Sequence, residues 1–283
     1  MDIKASDIKD LREKTGAGMM DCKKALVEAE GNPVAAEKIL REWGMAGVEK
    51  RSGRATNEGK VFIKEGAGKI SIVEIVCETD FVCRNKDFID AGKRIVETAF
   101  ANDSDKPSEA LEAQIRDLAA LIKENIALKR VLRVTSTSNE YLHAYVHGEG
   151  SLAVVVKMRS DKPEAFGDEK VKAFTHDIAL HIAAFNPMFL DQSKPSPAWI
   201  QEQKDIFQKQ VELDEKMKSK PEKVIQGVLV GKLKKLMSEI SLLDQGFVKE
   251  EKTPVAQAMA AIAKDAGCKL EIVDYVYVKA GEA

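Results

Sequence analysis

The sequence has few of the residues and motifs on which most catalytic and metal sites are built. It contains four cysteines and four histidines among 283 residues, and neither a CxxC pair nor an HExxH motif occurs. The segment Gly16-Ala17-Gly18 follows a predicted helix rather than a strand, so it does not fit a dinucleotide-binding turn. Residues 227–232 (GVLVGK) are one residue short of a phosphate-binding loop. These absences argue against the common nucleotide- and metal-dependent enzymes.

Long apolar runs and an excess of one charge are also missing. No stretch approaches the roughly 20 apolar residues of a membrane span, and the first residues predict a charged helix without the apolar segment of a signal peptide. The 44 basic and 46 acidic residues give a net charge of -2, whereas nucleic-acid binding favours a basic excess. The scattered cysteines are typical of a reduced protein. We therefore expect a cytoplasmic protein that binds neither a membrane nor, directly, nucleic acid.

The hydrophobic periodicity predicts an α+β fold, and the length allows about two domains. Residues 1–50 predict three short helices, in which Gly16 suits a left-handed helix end and Asn32-Pro33 suits a helix start. This small bundle is similar in architecture to ubiquitin-associated domains. The polar residues 51–59 predict a linker.

The rest of the chain predicts a duplicated α/β core with antiparallel sheets, formed by residues 60–139 and residues 140–283. In each copy two strands flank a turn, with Gly68 and Gly150 at equivalent places, and a helix follows. Apolar residues at spacings of three, four and seven predict an antiparallel helical hairpin inserted in the second copy, at about residues 196–240.

One segment, residues 69–85 (KISIVEIVCETDFVCRN), combines a mostly buried strand, a turn and the start of a helix. Thr79 or Asp80 is expected to cap the helix, its side-chain oxygen accepting a free backbone N–H. Phe81 then lies in the first turn. The pattern alone favours Phe81 as a core residue, but an acidic and an aromatic side chain at a helix start also suit an exposed partner-binding turn.

The pair Met19-Met20, in a glycine-rich loop, leaves a similar choice open. Methionines usually fill gaps in a core, yet their flexible side chains also suit an adaptable contact surface. A related hypothesis makes the protein an interaction scaffold in which residues 1–50 alone carry the binding.

A third hypothesis is an enzyme. His143 and His147 share one face of a predicted strand and would supply two metal ligands, although no third ligand is apparent. Cys77, Asp80 and Cys83 are near one another in the sequence and would be the other candidates for a catalytic site.

Two longer motifs favour a protein-binding function. Residues 11–26 (LREKTGAGMMDCKKAL) closely resemble the N-terminal signature of the bacterial elongation factor Ts family, and residues 74–82 (EIVCETDFV) resemble its second signature. The order of small helical domain, linker, duplicated core, helical hairpin and short final segment is also similar. Residues 83–85 read Cys-Arg-Asn where the family often has Ala-Lys-Asn.

The resemblance implies a guanine-nucleotide exchange factor that is not an enzyme and needs no cofactor or metal of its own. Its partner would be elongation factor Tu, in the GDP-bound and nucleotide-free forms, in a one-to-one heterodimer or a higher assembly. It would promote GDP release by disturbing the partner's Mg²⁺ and phosphate site, so that GTP binds again during translation elongation.

The resemblance also implies roles for particular residues. Asp80 and Phe81 would enter the partner's GTPase domain near its Mg²⁺ site, and Thr79 and Val82 would shape the turn that carries them.

Two further regions would contact the same partner. Arg12, Met19 and Met20 would dock the N-terminal helices on the GTPase domain. His147, in the second copy of the core, would contact another domain of the partner.

Overall fold

The computed structural model describes residues 3–66, 68–215, 217 and 220–282. The α-helices in this part of the chain are α1 (Ala5–Thr15), α2 (Met19–Glu28), α3 (Pro33–Arg51), α4 (Asp80–Cys83), α5 (Lys86–Ala101), α6 (Glu109–Ile122), α7 (Glu169–Phe185), α8 (Pro197–Leu213), α9 (Glu222–Ile240) and α10 (Val255–Asp265). The strands are β1 (Glu58–Gly66), β2 (Lys69–Cys77), β3 (Ile126–Thr135), β4 (Glu140–His147), β5 (Leu152–Ser160), β6 (Gly246–Phe247), β7 (Glu250–Pro254) and β8 (Leu270–Lys279). The mixture of helices and antiparallel sheet confirms the predicted α+β class.

The chain folds into two compact units. Unit 1 draws its described residues from Met1–Thr135, Val146–Leu152 and Val278–Ala283. Unit 2 draws them from Ser136–Tyr145 and Ala153–Tyr277. The predicted domain bounds stay a prediction.

Two helix ends among the first three helices of unit 1 lie where local rules place them. Gly16 ends α1 with a φ of 68°, a left-handed conformation that glycine adopts without a steric penalty. Asn32 caps α3 by accepting the backbone N–H groups of Val34 and Ala35, and Pro33 fills the first helical position. These two helix ends match the sequence-based expectation. The residues buried between the helices are Ile8, Leu11, Cys22, Ala25, Leu26 and Ala36.

The sheet of unit 1 has the order β1-β2-β3 with antiparallel pairing. Because β2 is central, it is hydrogen-bonded on both edges, and almost every one of its side chains is buried. Helices α5 and α6 cover one face. The packing is close where the ring of Phe62 lies against Gly92 of α5: a Cβ added at Gly92 would lie 2.1 Å from a ring carbon.

A carboxylate is buried in the middle of the central strand. Glu74 is fully buried, with its oxygens 3.7 Å from Lys129 Nζ and 3.2 Å from Arg130 Nε. Its Oε1 also accepts the backbone N–H of Gly281 at 3.1 Å. The last described residues of the chain thus return to the sheet of unit 1.

Unit 2 contains most of the sheet β4-β5-β8, the two-stranded β6-β7 sheet and helices α7 to α10. As the sequence predicts, the final strand β8 joins this sheet. Helices α8 and α9 fall in the segment predicted as a helical hairpin and contact each other, with Lys232 Nζ donating to Gln210 Oε1 at 3.0 Å. Within the described ranges no helix combines the length and apolar character needed to cross a membrane.

Candidate partner-binding surface of unit 1

The α4 turn, defined as residues 78–83, joins the central strand β2 to helix α5. Val82 and Cys83 are buried, whereas the side chain of Phe81 is 78% exposed. Asn85 caps the start of α5, since its Oδ1 accepts the N–H of Asp87. The prediction of Phe81 as a core residue is therefore wrong, and the exposed alternative holds, because the buried neighbours of Phe81 anchor the turn without it.

Glu124 holds the start of this turn from the segment that follows α6. Its Oε2 accepts the backbone N–H groups of Glu78 and Thr79, both at 3.1 Å, and its Oε1 accepts the Thr79 hydroxyl at 2.7 Å. Thr79 occupies the N-cap position of α4 but makes no side-chain cap hydrogen bond. Capping by the Thr79 side chain is thus a wrong prediction, because its hydroxyl is engaged by Glu124.

A second contact runs in the opposite direction between the same segments. Glu78 Oε1 accepts the backbone N–H of Asn125 at 2.6 Å and lies 3.3 Å from Arg54 Nη1. The amide of the buried Asn125 donates to the carbonyls of Ser52 and Arg54. Residues 78–79 and residues 124–125 are therefore joined by hydrogen bonds donated in both directions. These bonds fix the backbone that leads into Phe81.

Asp80, by contrast, points to solvent. Its carboxylate is half exposed and lies 3.1 Å from Arg84 Nη2, one helical turn later. An exposed ion pair of this kind contributes little to stability. The turn therefore presents an aromatic ring beside an acidic group.

Met19 and Met20 lie at the start of α2 and not in the preceding loop. They are 47% and 63% exposed, and Arg12, near the end of α1, is exposed too. Exposed methionines at a helix start suit a contact surface rather than a core. Arg12, Met19 and Met20, which we call the helix junction, are the second group of predicted site residues.

The helix junction is attached to the same segment as the α4 turn. Lys123 Nζ forms an ion pair with Asp21 of α2, and a Cβ added at Gly16 would lie 2.7 Å from Leu121. Lys123 ends α6 with a φ of 67°, so the side chains of Lys123 and Glu124 point in different directions. One side chain reaches the helix junction and the next reaches the α4 turn.

His147 belongs to unit 1, at the exposed end of β4. The following turn is held against β1: Lys60 Nζ donates to the carbonyl of Glu149 at 2.8 Å. A Cβ added at Gly150, which has a φ of 104°, would lie 2.8 Å from the carbonyl oxygen of Val61. Glycine is needed here for both the backbone angle and the close approach. All the predicted site residues thus lie in unit 1.

The two histidines considered for a metal site, His143 and His147, both lie on β4. His143 is in unit 2, where its Nε2 lies 3.0 Å from His176 Nδ1. Burial, and to a lesser degree the neighbouring His176, lowers the pKa of His143. Among the residues that the structure describes, no three or more His, Cys, Asp or Glu side chains form a group able to hold a metal ion.

Sequence reasoning missed Lys123, Glu124 and Asn125. Their contacts join residues at least 45 positions apart and leave no periodic pattern.

Comparison with known proteins decides the family. The model of the family described as "Elongation factor TS" matches residues 78–282. Elongation factor Ts of Treponema denticola is 44% identical over 282 residues, which covers 99% of both chains. That of Borrelia hermsii is 41% identical over 99% of this chain and 100% of its own. The chain belongs to the elongation factor Ts family.

As a member of the elongation factor Ts family, the protein is a translation elongation factor of protein biosynthesis. The family model begins at the first residue of the α4 turn and includes His147. The similarity to the relatives also covers the helix junction with Arg12, Met19 and Met20, because it spans 99% of the chain.

Proposed function

We propose that this protein is the guanine-nucleotide exchange factor of elongation factor Tu. It binds the GDP form, disturbs the Mg²⁺ and phosphate site of the partner, and lets GDP leave so that GTP binds. It remains bound to the nucleotide-free partner until GTP arrives. The protein itself carries out no chemical reaction.

Each predicted residue has a place in this proposal. Phe81 enters the GTPase domain as a wedge near the Mg²⁺ site, with Asp80 beside it, and Thr79 and Val82 hold the turn in shape.

The other contacts lie outside the turn. Arg12, Met19 and Met20 dock on the same GTPase domain, and His147 contacts another domain of the partner.

Exchange requires differential binding rather than chemistry. A factor that binds the nucleotide-free partner more tightly than the GDP form weakens GDP binding by the same ratio. The partner holds GDP through Mg²⁺ and phosphate contacts, so a side chain that displaces those contacts supplies the required free energy.

The observation that carries the proposal is the exposure of Phe81 on a fixed turn. An aromatic side chain that is 78% exposed loses apolar contact with water when it enters a partner. The turn is held by three hydrogen bonds that it donates to the carboxylate of Glu124, so little conformational entropy is lost on binding. A rigid exposed aromatic residue is a typical hot spot of protein interfaces.

The proposal extends to the architecture and the assembly. The three N-terminal helices form a ubiquitin-associated-like domain, and α8 and α9 form an antiparallel helical hairpin. The factor forms a one-to-one complex in the cytoplasm, without contact to nucleic acid or a membrane.

The test is release of a fluorescent GDP analogue from elongation factor Tu, followed with wild type and Phe81→Ala at matched concentration. Loss of an interface hot spot costs about 2 kcal/mol or more, so we expect release at least about thirtyfold slower with Phe81→Ala. The matched control is Phe185→Ala, which removes a half-exposed aromatic ring in unit 2. The control should release GDP like wild type.

Equal release by wild type and Phe81→Ala would remove Phe81 from the mechanism. If wild type bound elongation factor Tu without accelerating release, the exchange function would be wrong and the scaffold hypothesis would take its place.

A further inference from the structure

Two thiols bracket the α4 turn. Cys77 is the last residue of β2 and Cys83 the last residue of α4, and their Sγ atoms lie 3.5 Å apart. Cys77 is fully buried and Cys83 is 8% exposed. The residues between them include Asp80 and Phe81, so any change in the distance between the sulfurs acts on the turn.

Both thiols also face one backbone group of the turn. The carbonyl oxygen of Thr79 lies 3.3 Å from Cys77 Sγ and 3.9 Å from Cys83 Sγ, so it accepts a hydrogen bond from either S–H group. The sulfur chemistry is thus coupled to the residue that Glu124 holds.

We propose that Cys77 and Cys83 are a modification site at which a small hydroperoxide forms a reversible disulfide. A bonded pair has an S–S length of about 2.05 Å, so the sulfurs must approach by about 1.5 Å. The hydroperoxide is the oxidant, and it accepts the two electrons that the two thiols lose.

The reaction has two balanced steps. The Cys83 thiolate attacks the terminal oxygen of the hydroperoxide and the O–O bond breaks, giving a sulfenic acid at Cys83. The other oxygen leaves as hydroxide (from hydrogen peroxide) or alkoxide (from an organic hydroperoxide) and takes up a proton. The Cys77 sulfur then attacks the sulfenic sulfur, the S–S bond forms, and the Cys77 proton leaves with the hydroxyl group as water. A dithiol reductant reverses the bond by thiol–disulfide exchange.

The order of attack follows from the environment of the two sulfurs. A hydrogen bond from the Cys77 thiol lowers the pKa of Cys83 and raises the pKa of Cys77, which burial raises further. Cys83 is also the more exposed of the two. It is therefore the first nucleophile, and Cys77 resolves the intermediate.

The turn, not the sheet, must move when the bond forms. Cys77 is paired with Glu58 of β1 on one side and Ile126 of β3 on the other, so the sheet holds it. Cys83 lies in a helix of only four residues. Oxidation would draw this helix toward β2, leave no S–H group to donate to the Thr79 carbonyl and displace Phe81.

The effect on exchange, which rests on the proposed function, is a loss of activity. A displacement of about 1 Å can lower a rate by up to about a hundredfold, and we expect release of GDP about tenfold slower after oxidation. Reduction with dithiothreitol should restore the original rate.

The experiment treats the full-length protein with hydrogen peroxide, blocks the remaining thiols with iodoacetamide and digests with trypsin. Residues 70–84 form one tryptic peptide that contains both cysteines. We expect this peptide to be lighter by two hydrogens and not alkylated, and to become doubly alkylated after reduction. Fluorescent GDP release is measured on the same samples. Peroxide should not change the release rate of Cys83→Ala relative to the same variant before treatment, whereas it should slow release by Cys268→Ala as it does for wild type.

Two alkylated cysteines after peroxide, or a sulfinic acid in place of the disulfide, would overturn the modification site. A disulfide without any change in release would overturn its effect on the turn. If untreated protein does not accelerate GDP release, the proposed function fails, while the peptide mass still decides on the disulfide.

Discussion

The carboxylate of Glu124 binds Thr79 at two atoms, taking the hydroxyl at 2.7 Å on one oxygen and the backbone N–H at 3.1 Å on the other. Hydrogen bonds to a carboxylate are stronger than those to a neutral acceptor. Two of them together fix the direction of the peptide group. The start of the α4 turn is therefore positioned by a side chain that follows α6.

Replacing Glu124 should slow exchange even though Glu124 does not belong to the turn. Glu124→Ala leaves the N–H groups of Glu78 and Thr79 without their acceptor, which costs about 1–3 kcal/mol of stability. It also lets the turn adopt other conformations. We expect slower release of fluorescent GDP under conditions in which circular dichroism shows that the variant is still folded.

The conservative variant separates positioning from stability. Glu124→Gln keeps one acceptor oxygen and should recover part of the exchange rate. A double-mutant cycle with Thr79→Val measures the coupling between the two side chains. Independent effects of the two substitutions on release would contradict the positioning role.

Met20→Ala should weaken binding of elongation factor Tu without affecting the fold. Met20 is 63% exposed, so its truncation creates no cavity, while a buried contact in the complex would lose apolar area. We expect a rise in Kd by titration and an unchanged midpoint of urea unfolding. Val34→Ala on α3 removes another exposed side chain, 72% accessible, and should leave Kd unchanged. Equal effects of the two variants would count against the helix junction as a contact.

Two helical glycines should respond to alanine with opposite signs. An added Cβ at Gly92 would lie 2.1 Å from the buried ring of Phe62, whereas at Gly227 of α9 no atom lies within 4 Å. Overpacking costs about 1–3 kcal/mol, and alanine gains about 1 kcal/mol in helix propensity. Gly92→Ala should lower the free energy of unfolding and Gly227→Ala should raise it, as measured by urea denaturation. A stabilised Gly92→Ala variant would show that the Phe62 ring moves away freely.

Acid should weaken unit 2 through Glu140. The Thr137 backbone N–H and then the Arg159 guanidinium lower the pKa of Glu140 to about 2 from its usual 4.5. Because the folded-state pKa lies below the unfolded one, Glu140 stabilises the fold fully above pH 4.5, and this contribution falls as the pH drops toward 2. Urea unfolding should show a larger difference between wild type and Glu140→Gln at pH 7 than at pH 3. The same difference at both pH values would contradict the shift.

Much of the fold could be predicted from local sequence. Gly16 and Asn32-Pro33 mark helix ends through rules that depend on a few neighbouring atoms, and the structure follows them. The alternation in residues 70–77 likewise predicts the buried β2 strand, because strand periodicity and burial are read from the same side chains.

The candidate site was harder to predict from the pattern. Nothing in the spacing around Phe81 separates a core from an exposed position, because Val82 and Cys83 supply the buried contacts that Phe81 does not. The side chain of Thr79 had two possible partners, and only the fold brings Glu124 within reach. The family motifs point to the turn, but the hydrogen bonds that hold it come from residues distant in sequence.

The contact between Glu74 and Gly281 has a consequence for synthesis of the protein. It joins residues 207 positions apart, and Lys129 likewise donates to the carbonyl of Glu282. At about 5–20 residues per second, a ribosome needs roughly 10–40 s to travel from one partner of the first contact to the other. During that time Glu74 lacks the backbone N–H donor that Gly281 supplies in the folded protein. Unit 1 is therefore begun first and completed last, after the whole of residues 153–277 has been translated.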